Sequence, residues 1–370
     1  MPQDGVRHRE RKLVRVVRRQ KKVLRRARYP LRPSKYSNHV YDDHQHLIML
    51  VLRQYVHMPY RDFCDLMAVC TLLLEELELD EVPHFTTLQK FSARTDTRRL
   101  ELLLLSFLEE ARLRVLHLGV DSTGYSCTSA SQYYIRTLEV RKNGPGPPKR
   151  GRLVRRYLKQ TLAVETRKQL IAAVKFRMGP ANDSPDFIPV VKKAGKARQD
   201  IMLVTGDKGY DAERNHEYVH EVIGGRSVIP VRRGDDPRVR IRGRYRRRQW
   251  KHFDSATYRQ RVKVETVNSV QKRTMGSSVL SRKTGQRHKE MVFRALAYNG
   301  RRMETFFLVL IEGFYKAAGV SEGIDSTCMG GCRDLMLRTL IYRQVNEHLR
   351  NVDWAGFLVS AQSSIVGVSI

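Results

Sequence analysis

The chain has no apolar run near the ~18 residues that a membrane helix needs. Its best stretches, residues 102–108 and 305–311, are short and have charged neighbours. No membrane partner is therefore expected. The start, Met-Pro-Gln-Asp, turns basic at once and has no apolar core of a secretory signal. Five cysteines in 370 residues are too few for a disulfide framework. Cys328 and Cys332 have three residues between them, but no second pair or His pair completes a zinc site. A reducing, cytoplasmic setting is the expectation. Acids are scarce too: 38 Asp+Glu face 69 Lys+Arg, a formal charge of +31. That excess points to a polyanionic partner, with nucleic acid ahead of a membrane surface. Disorder throughout is excluded, because 41% of residues are hydrophobic and can bury a core.

Residues 7–28 hold twelve Lys/Arg and one acid, interrupted by Val14, Val16, Val17, Val23 and Leu24. They read either as a solvated, partly helical arm or as an arm that contacts DNA. Pro30 and Pro33 then break the chain, which sets off residues 1–33. Residues 34–113 read as a helical module, with apolar periodicity from Leu47 and a helix start at Pro59. Its size suits docking on DNA ends, although no specific helix-turn-helix signature is present. Residues 114–303 change period: strands at 115–121, 157–165, 169–177, 200–205 and 227–231 alternate with helices at 183–193, 211–222 and 255–272. This order predicts an α/β fold with a mixed sheet and flanking helices. The Gly/Pro-rich, basic stretch within 126–156 reads as a loop. Residues 304–370 form a tail of unknown role.

Asp121 and Asp207 each close an apolar strand, the edge of an α/β sheet where ligands collect. Each alone could equally cap the next turn. Asp211 is expected to be the N-cap of the following helix. On a helical wheel, Tyr258, Arg261, Glu265 and Lys272 share an arc of about 60°, with Val264, Val267 and Val270 opposite. Glu265 alone could be half of an ordinary i,i+4 pair with Arg261. Together, three carboxylates could share two Mg²⁺ ions about 4 Å apart, as two-metal phosphodiester chemistry requires.

The block Tyr258-x2-Arg261-x3-Glu265-x6-Lys272 resembles the YREK signature of DDE-type insertion-sequence transposases at all four positions. Gly206-Asp207-Lys208-Gly209-Tyr210-Asp211 resembles the family's second block, and Gly119-Val120-Asp121-Ser122-Thr123-Gly124 its first. The segment Asn182-Asp183-Ser184 also fits, and the similarity spans roughly residues 115–303. The resemblance implies a ribonuclease H-like catalytic fold, with Asp121, Asp207 and Glu265 as the catalytic and metal-binding triad. It implies that Tyr258, Arg261 and Lys272 hold DNA phosphates. The implied cofactor is two Mg²⁺ ions, or Mn²⁺ in their place. The implied partners are the inverted-repeat ends of an element and target DNA, bound by a homodimer in a prokaryotic host.

Residues 231–252 carry ten Lys/Arg. Arginine takes every second place from Arg238 through Arg240, Arg242 and Arg244 to Arg246, which in an extended chain would put five guanidinium groups on one side. Such a ladder suits a phosphate backbone; the plainer reading is a disordered basic loop. Trp250 and Tyr245 could stack on an unpaired base or pack beneath the loop. The expected function is thus a cut-and-paste DNA transposase. The alternatives are a non-catalytic DNA-binding protein of transposase descent and a metal-dependent nuclease without strand transfer.

Overall fold

The computed structural model describes residues 11–32, 40–127, 137, 157–232 and 240–317, with the side chains of the last helix described to Thr305. Arg238, most of the 126–156 loop and the tail beyond Ala317 lie outside the described residues. The chain divides into two compact units, Lys12–Ile311 and the termini Met1–Arg11 with Glu312–Ile370. Nearly all of the described residues belong to the first unit.

Lys12–Arg26 is a helix, α1. Val14, Val16, Val17, Gln20, Val23 and Leu24 recur at helical spacing and are buried. Its arginines reach acids far away in sequence: Arg19 pairs with Glu110 at 3.0 Å and with Glu304 at 2.9 Å. Most of the segment that the sequence leaves between two kinds of arm is therefore packed into the body. The helices α2 (Asp43–Val56), α3 (Tyr60–Ala68), α4 (Thr71–Leu77), α5 (Phe85–Arg94) and α6 (Thr97–Glu110) follow. A capping box between Asp42 and Gln45 starts α2, and Pro59 stands at the N-cap of α3.

The sheet has five strands in the order β3-β2-β1-β4-β5: β1 (Val115–Ser126), β2 (Tyr157–Glu165), β3 (Leu170–Gly179), β4 (Asp200–Gly206) and β5 (Arg226–Val228). β1, β2 and β3 form an antiparallel meander, whereas β4 and β5 run parallel to β1. Helix α7 (Ser184–Ala194) links β3 to β4 and packs on β2 and β3. This is the mixed α/β sheet with flanking helices that the sequence predicts. After β4 come a 3₁₀ turn (Lys208–Tyr210), helix α8 (Glu213–Glu217) and a π turn (Tyr218–Val222). Helix α9 (Arg244–Lys251) follows β5, and a short helical lead-in from Ser255 then opens α10 (Val262–Met275). The last helix, α11 (Thr284–Ala317), is fixed to the sheet by Asn299, whose side-chain amide bonds both backbone groups of Ile171 at 2.8 and 2.9 Å.

Two register facts set up the site. Val120 lies opposite Gly206, so the next residue of each parallel strand is an acid, Asp121 or Asp207. A Cβ on Gly119 would stand 2.3 Å from Val264 Cγ2, so the missing side chain lets α10 lie against β1. Asp121 is two strand residues beyond Gly119, about 6.6 Å along. Asn268 is one helical turn beyond Val264, about 6 Å along. Strand and helix therefore keep step, and Asn268 meets Asp121.

β1 is longer than the sequence suggests. Asp121 lies opposite Leu162, and the β1–β2 ladder continues to Ser126. Only the parallel pairing with β4 stops at Val120. Asp121 is thus mid-strand on one side and at the strand end on the other.

Candidate active site

Asp121, Asp207 and Glu265 converge on one guanidinium. Arg261 Nη2 lies 2.6 Å from Glu265 Oε1 and 4.0 Å from Asp207 Oδ1. Arg261 Nη1 lies 3.6 Å from Asp121 Oδ1. Residues separated by 86 and 58 positions in the chain are therefore neighbours. The Asp121 side chain is mostly buried, whereas those of Asp207 and Glu265 are about half exposed.

Each carboxylate has its own support. Asp207 Oδ1 accepts the Lys208 N–H at 2.7 Å, so Asp207 is also the cap of the 3₁₀ turn. Asp121 Oδ2 accepts from Asn268 Nδ2 at 3.0 Å. Burial pushes the Asp121 carboxyl above its ordinary range, and Glu265 adds to this. Arg261, the Ser122 N–H and Asn268 oppose the rise without cancelling it. Arg261 is held above its usual value: burial works against its charge, but Tyr258, Asp207, Glu265 and Asp121 outweigh it. The Arg261 guanidinium carbon lies 5.8 Å from the Tyr258 ring centroid. Lys272 sits 5.4 Å from the Tyr125 ring centroid, its pKa lowered by burial while Asp121 works the other way.

Behind the acids runs a chain of hydroxyls. Ser122 Oγ lies 2.6 Å from the buried Tyr210 hydroxyl and 2.7 Å from Thr161 Oγ1. It ties the turn after Asp207 to β1 and β2. Neither these hydroxyls nor Asn268 stood out in the sequence. Asn268 could have been found, because it falls near −80° on the wheel that places Arg261 near −60°.

Asp211 is not the N-cap of the following helix. Ala212 holds the N-cap place of α8, and the Asp211 side chain is fully buried. Arg246 grips it with Nε at 2.8 Å from Oδ1 and Nη2 at 2.7 Å from Oδ2. The Arg232 N–H adds a bond at 2.7 Å, and His216 Nε2 stands 3.5 Å away. Burial alone would raise this carboxyl, but bonds from His216 and Arg246 hold it below its usual range.

The arginine ladder is not a single extended strand. Arg244–Lys251 is a helix, so Arg244 and Arg246 lie about 200° apart around it. Tertiary contacts select the helix: Glu213 accepts the Tyr245 and Arg246 N–H groups at 2.8 and 3.0 Å, capping α9. Arg240, Arg242 and Arg244 are exposed, whereas Arg246 is tied to Asp211. Tyr245 stacks on His220 with ring centroids 4.4 Å apart, while Trp250 is 51% exposed.

Among the described residues no group of three or more His, Cys, Asp or Glu is arranged to hold a metal ion as it stands. In the candidate site the Arg261 guanidinium lies among the carboxylates. No helix among the described residues is long and apolar enough to cross a membrane.

Residues 116–299 match the family described as "Transposase DDE domain". No curated protein matches the chain. Among solved structures the chain is similar to the "Cryo-EM structure of piggyBac transposase synaptic complex with hairpin DNA". That likeness has 11% identity and a TM-score of 0.41, covering 88% of this chain and 80% of that one. At that level neither site residues nor partners carry over.

Proposed function

We propose that a chain with a transposase DDE domain at residues 116–299, gathering Asp121, Asp207 and Glu265 on one guanidinium, is a metal-dependent DNA transposase. The gathering of the three acids is the observation that carries the reading. The resemblance of Tyr258, Arg261, Glu265 and Lys272 to the YREK signature supports the insertion-sequence branch.

The donor set fits hard divalent cations, because carboxylates offer oxygen ligands and two of the three are half exposed to incoming water and ions. Asp121, Asp207 and Glu265 would hold Mg²⁺ or Mn²⁺. Two bound ions supply activation of the attacking oxygen and stabilisation of the leaving one. This chain's residues do the rest. Arg261, Tyr258 and Lys272 bind and orient the phosphates of the DNA end. Asn268 and the Lys208 N–H hold Asp121 and Asp207 in place.

In the first reaction, water attacks the phosphorus at the element's end and the P–O3′ bond breaks. The freed 3′-hydroxyl stays on the element and the 5′-phosphate stays on the flank. In the second, that 3′-hydroxyl attacks a target phosphodiester. A new P–O bond forms, the target's own 3′ oxygen leaves, and the hydroxyl proton goes to solvent. No covalent protein–DNA intermediate is needed. A homodimer would hold two ends, and the helical module of residues 34–113 is the proposed reader of the inverted repeats.

One observation favours a second reading. Arg261 lies within 4.0 Å of all three carboxylates, as it would in a non-catalytic DNA-binding protein of transposase descent. A labelled DNA end incubated with the protein and Mg²⁺ separates the two. Nicked and joined products support the transposase; binding without cleavage supports the alternative; cleavage without joining leaves a nuclease. Glu265→Gln is expected to bind DNA and not cut it, and retained cutting would remove Glu265 from the ion site.

A further inference from the structure

We infer that Asn268 is a positioning residue that orients the Asp121 carboxylate for divalent ions, an inference that rests on the transposase reading. Arg261, Glu265, Asn268 and Lys272 follow one another at spacings of four, three and four residues. That spacing draws a single stripe along one side of a helix. Three members of the stripe belong to the proposed site by charge. Asn268 fills the remaining place without charge, and it touches the one acid that comes from β1.

The contact has a definite sense. A carboxylate only accepts hydrogen bonds, so the Asn268 atom 3.0 Å from Asp121 Oδ2 is the amide nitrogen. This leaves Asp121 Oδ1 to face the site, where Arg261 Nη1 lies 3.6 Å away. One oxygen is thus held from behind while the other is presented, and the plane of the carboxylate is fixed. Outer partners of ligating carboxylates act in this way.

Packing alone does not call for an amide here. Asn268 is 6% exposed, beside the fully buried Val264 and Val267. Its Oδ1 is buried and has no hydrogen-bond partner among the described residues. A buried polar atom without a partner is costly, so an apolar side chain of the same volume would suit the seam better. Leucine there, however, would remove the Asn268 donor from Asp121 Oδ2, and aspartate would set a second negative charge against it. Asparagine meets the requirement of donating to a buried carboxylate while adding no charge.

The test uses the full chain with its DNA end and two variants, Asn268→Leu and Asn268→Ala. Mn²⁺ binding is followed by electron paramagnetic resonance, the Mg²⁺ dependence of cleavage is measured alongside, and thermal unfolding and DNA affinity are recorded. Loss of the amide is expected to raise the half-saturating ion concentration about 10–100-fold in both measurements. DNA affinity should stay within about twofold and excess Mg²⁺ should restore cutting. Unchanged ion midpoints in either folded variant would overturn the inference, as would a lowered melting temperature with unchanged midpoints. A wild-type chain that neither binds Mn²⁺ nor cuts would fail at the earlier step, removing the transposase reading and this inference with it.

Discussion

Arg261 donates to Glu265 at 2.6 Å across one turn of helix, and the same guanidinium also faces two acids from neighbouring strands. The pair is therefore an ordinary i,i+4 contact and part of a larger cluster at once. Three carboxylates around one cation leave a surplus of negative charge when all are ionised, and burial makes that charge costly at Asp121.

Removing the guanidinium is expected to expose that surplus. Arg261→Ala should lose about 0.5–3 kcal/mol of stability without added ions. Mg²⁺ at millimolar concentration should then raise its melting temperature more than that of the wild type, because ions binding only the folded state stabilise it by mass action. Arg261→Lys should fall between, since a point charge cannot face three acids as a planar fork does. Thermal unfolding with and without Mg²⁺ checks this, and equal ion responses in all three proteins would count against the cluster.

Asp121 gives a prediction of opposite sign. Its carboxyl is raised by burial, so the folded state favours the protonated form. A group of this kind contributes stability below its unfolded pKa of about 3.9 and loses it as pH rises through the higher folded value. At pH 7 the charged group is therefore a burden. Asp121→Asn should stabilise the fold by about 0.5–2 kcal/mol at pH 7, while abolishing cleavage. The advantage should shrink as the pH approaches 4. Melting curves at pH 4.5 and 7 decide it; a variant less stable than wild type at pH 7 would refute the account.

Two acids of one short block do different work. Asp207 is about half exposed and faces the cluster, whereas Asp211 is fully buried and clamped by Arg246. Breaking one partner of a buried pair leaves the other uncompensated, so Asp211→Ala should cost about 3–5 kcal/mol. Because its folded pKa is depressed, this contribution is present above the ordinary Asp pKa and lost as pH falls through the folded value. Asp207→Asn should change the melting temperature little and abolish cutting. Urea titrations of both variants at pH 7 and 4 test the division of labour; equal destabilisation would erase it.

Much of this was legible in the sequence, for identifiable reasons. The strand Tyr157–Glu165 and the acids after Val120 and Gly206 follow from short apolar runs that stop at a charge. The arc holding Arg261 and Glu265 follows from helical spacing. What escaped depends on partners far away in the chain. β1 continues past Asp121 because β2 offers a ladder as far as Tyr157. Residues 244–251 turn helical because Glu213 caps them, which no local alternation of arginine reveals. Asp211 looks like a cap until Arg246, 35 positions on, is found gripping it. Asn268 carries no charge, so only its neighbour makes it conspicuous.

On the proposed reading, the grip on DNA would draw on a different set of side chains. Arg240 and Arg242 are exposed on the approach to α9 and Arg244 at its first residue, and Arg246 anchors that helix through Asp211. Exposed guanidinium groups on an anchored segment can each displace a condensed counterion from a phosphate. The slope of log affinity against log salt then falls by about 0.9 for every phosphate that is no longer neutralised. Replacing all three with Ala should flatten the slope by about 2–3 and weaken binding alike for specific and random duplexes. Arg246→Ala should behave differently. It removes the anchor, so it should lower the melting temperature as Asp211→Ala does, with a smaller change of slope. Fluorescence anisotropy at salt concentrations from about 50 to 200 mM, set beside thermal unfolding, separates the two effects. A triple variant with the wild-type slope would take this segment off the DNA path and leave the phosphates to Tyr258, Arg261 and Lys272.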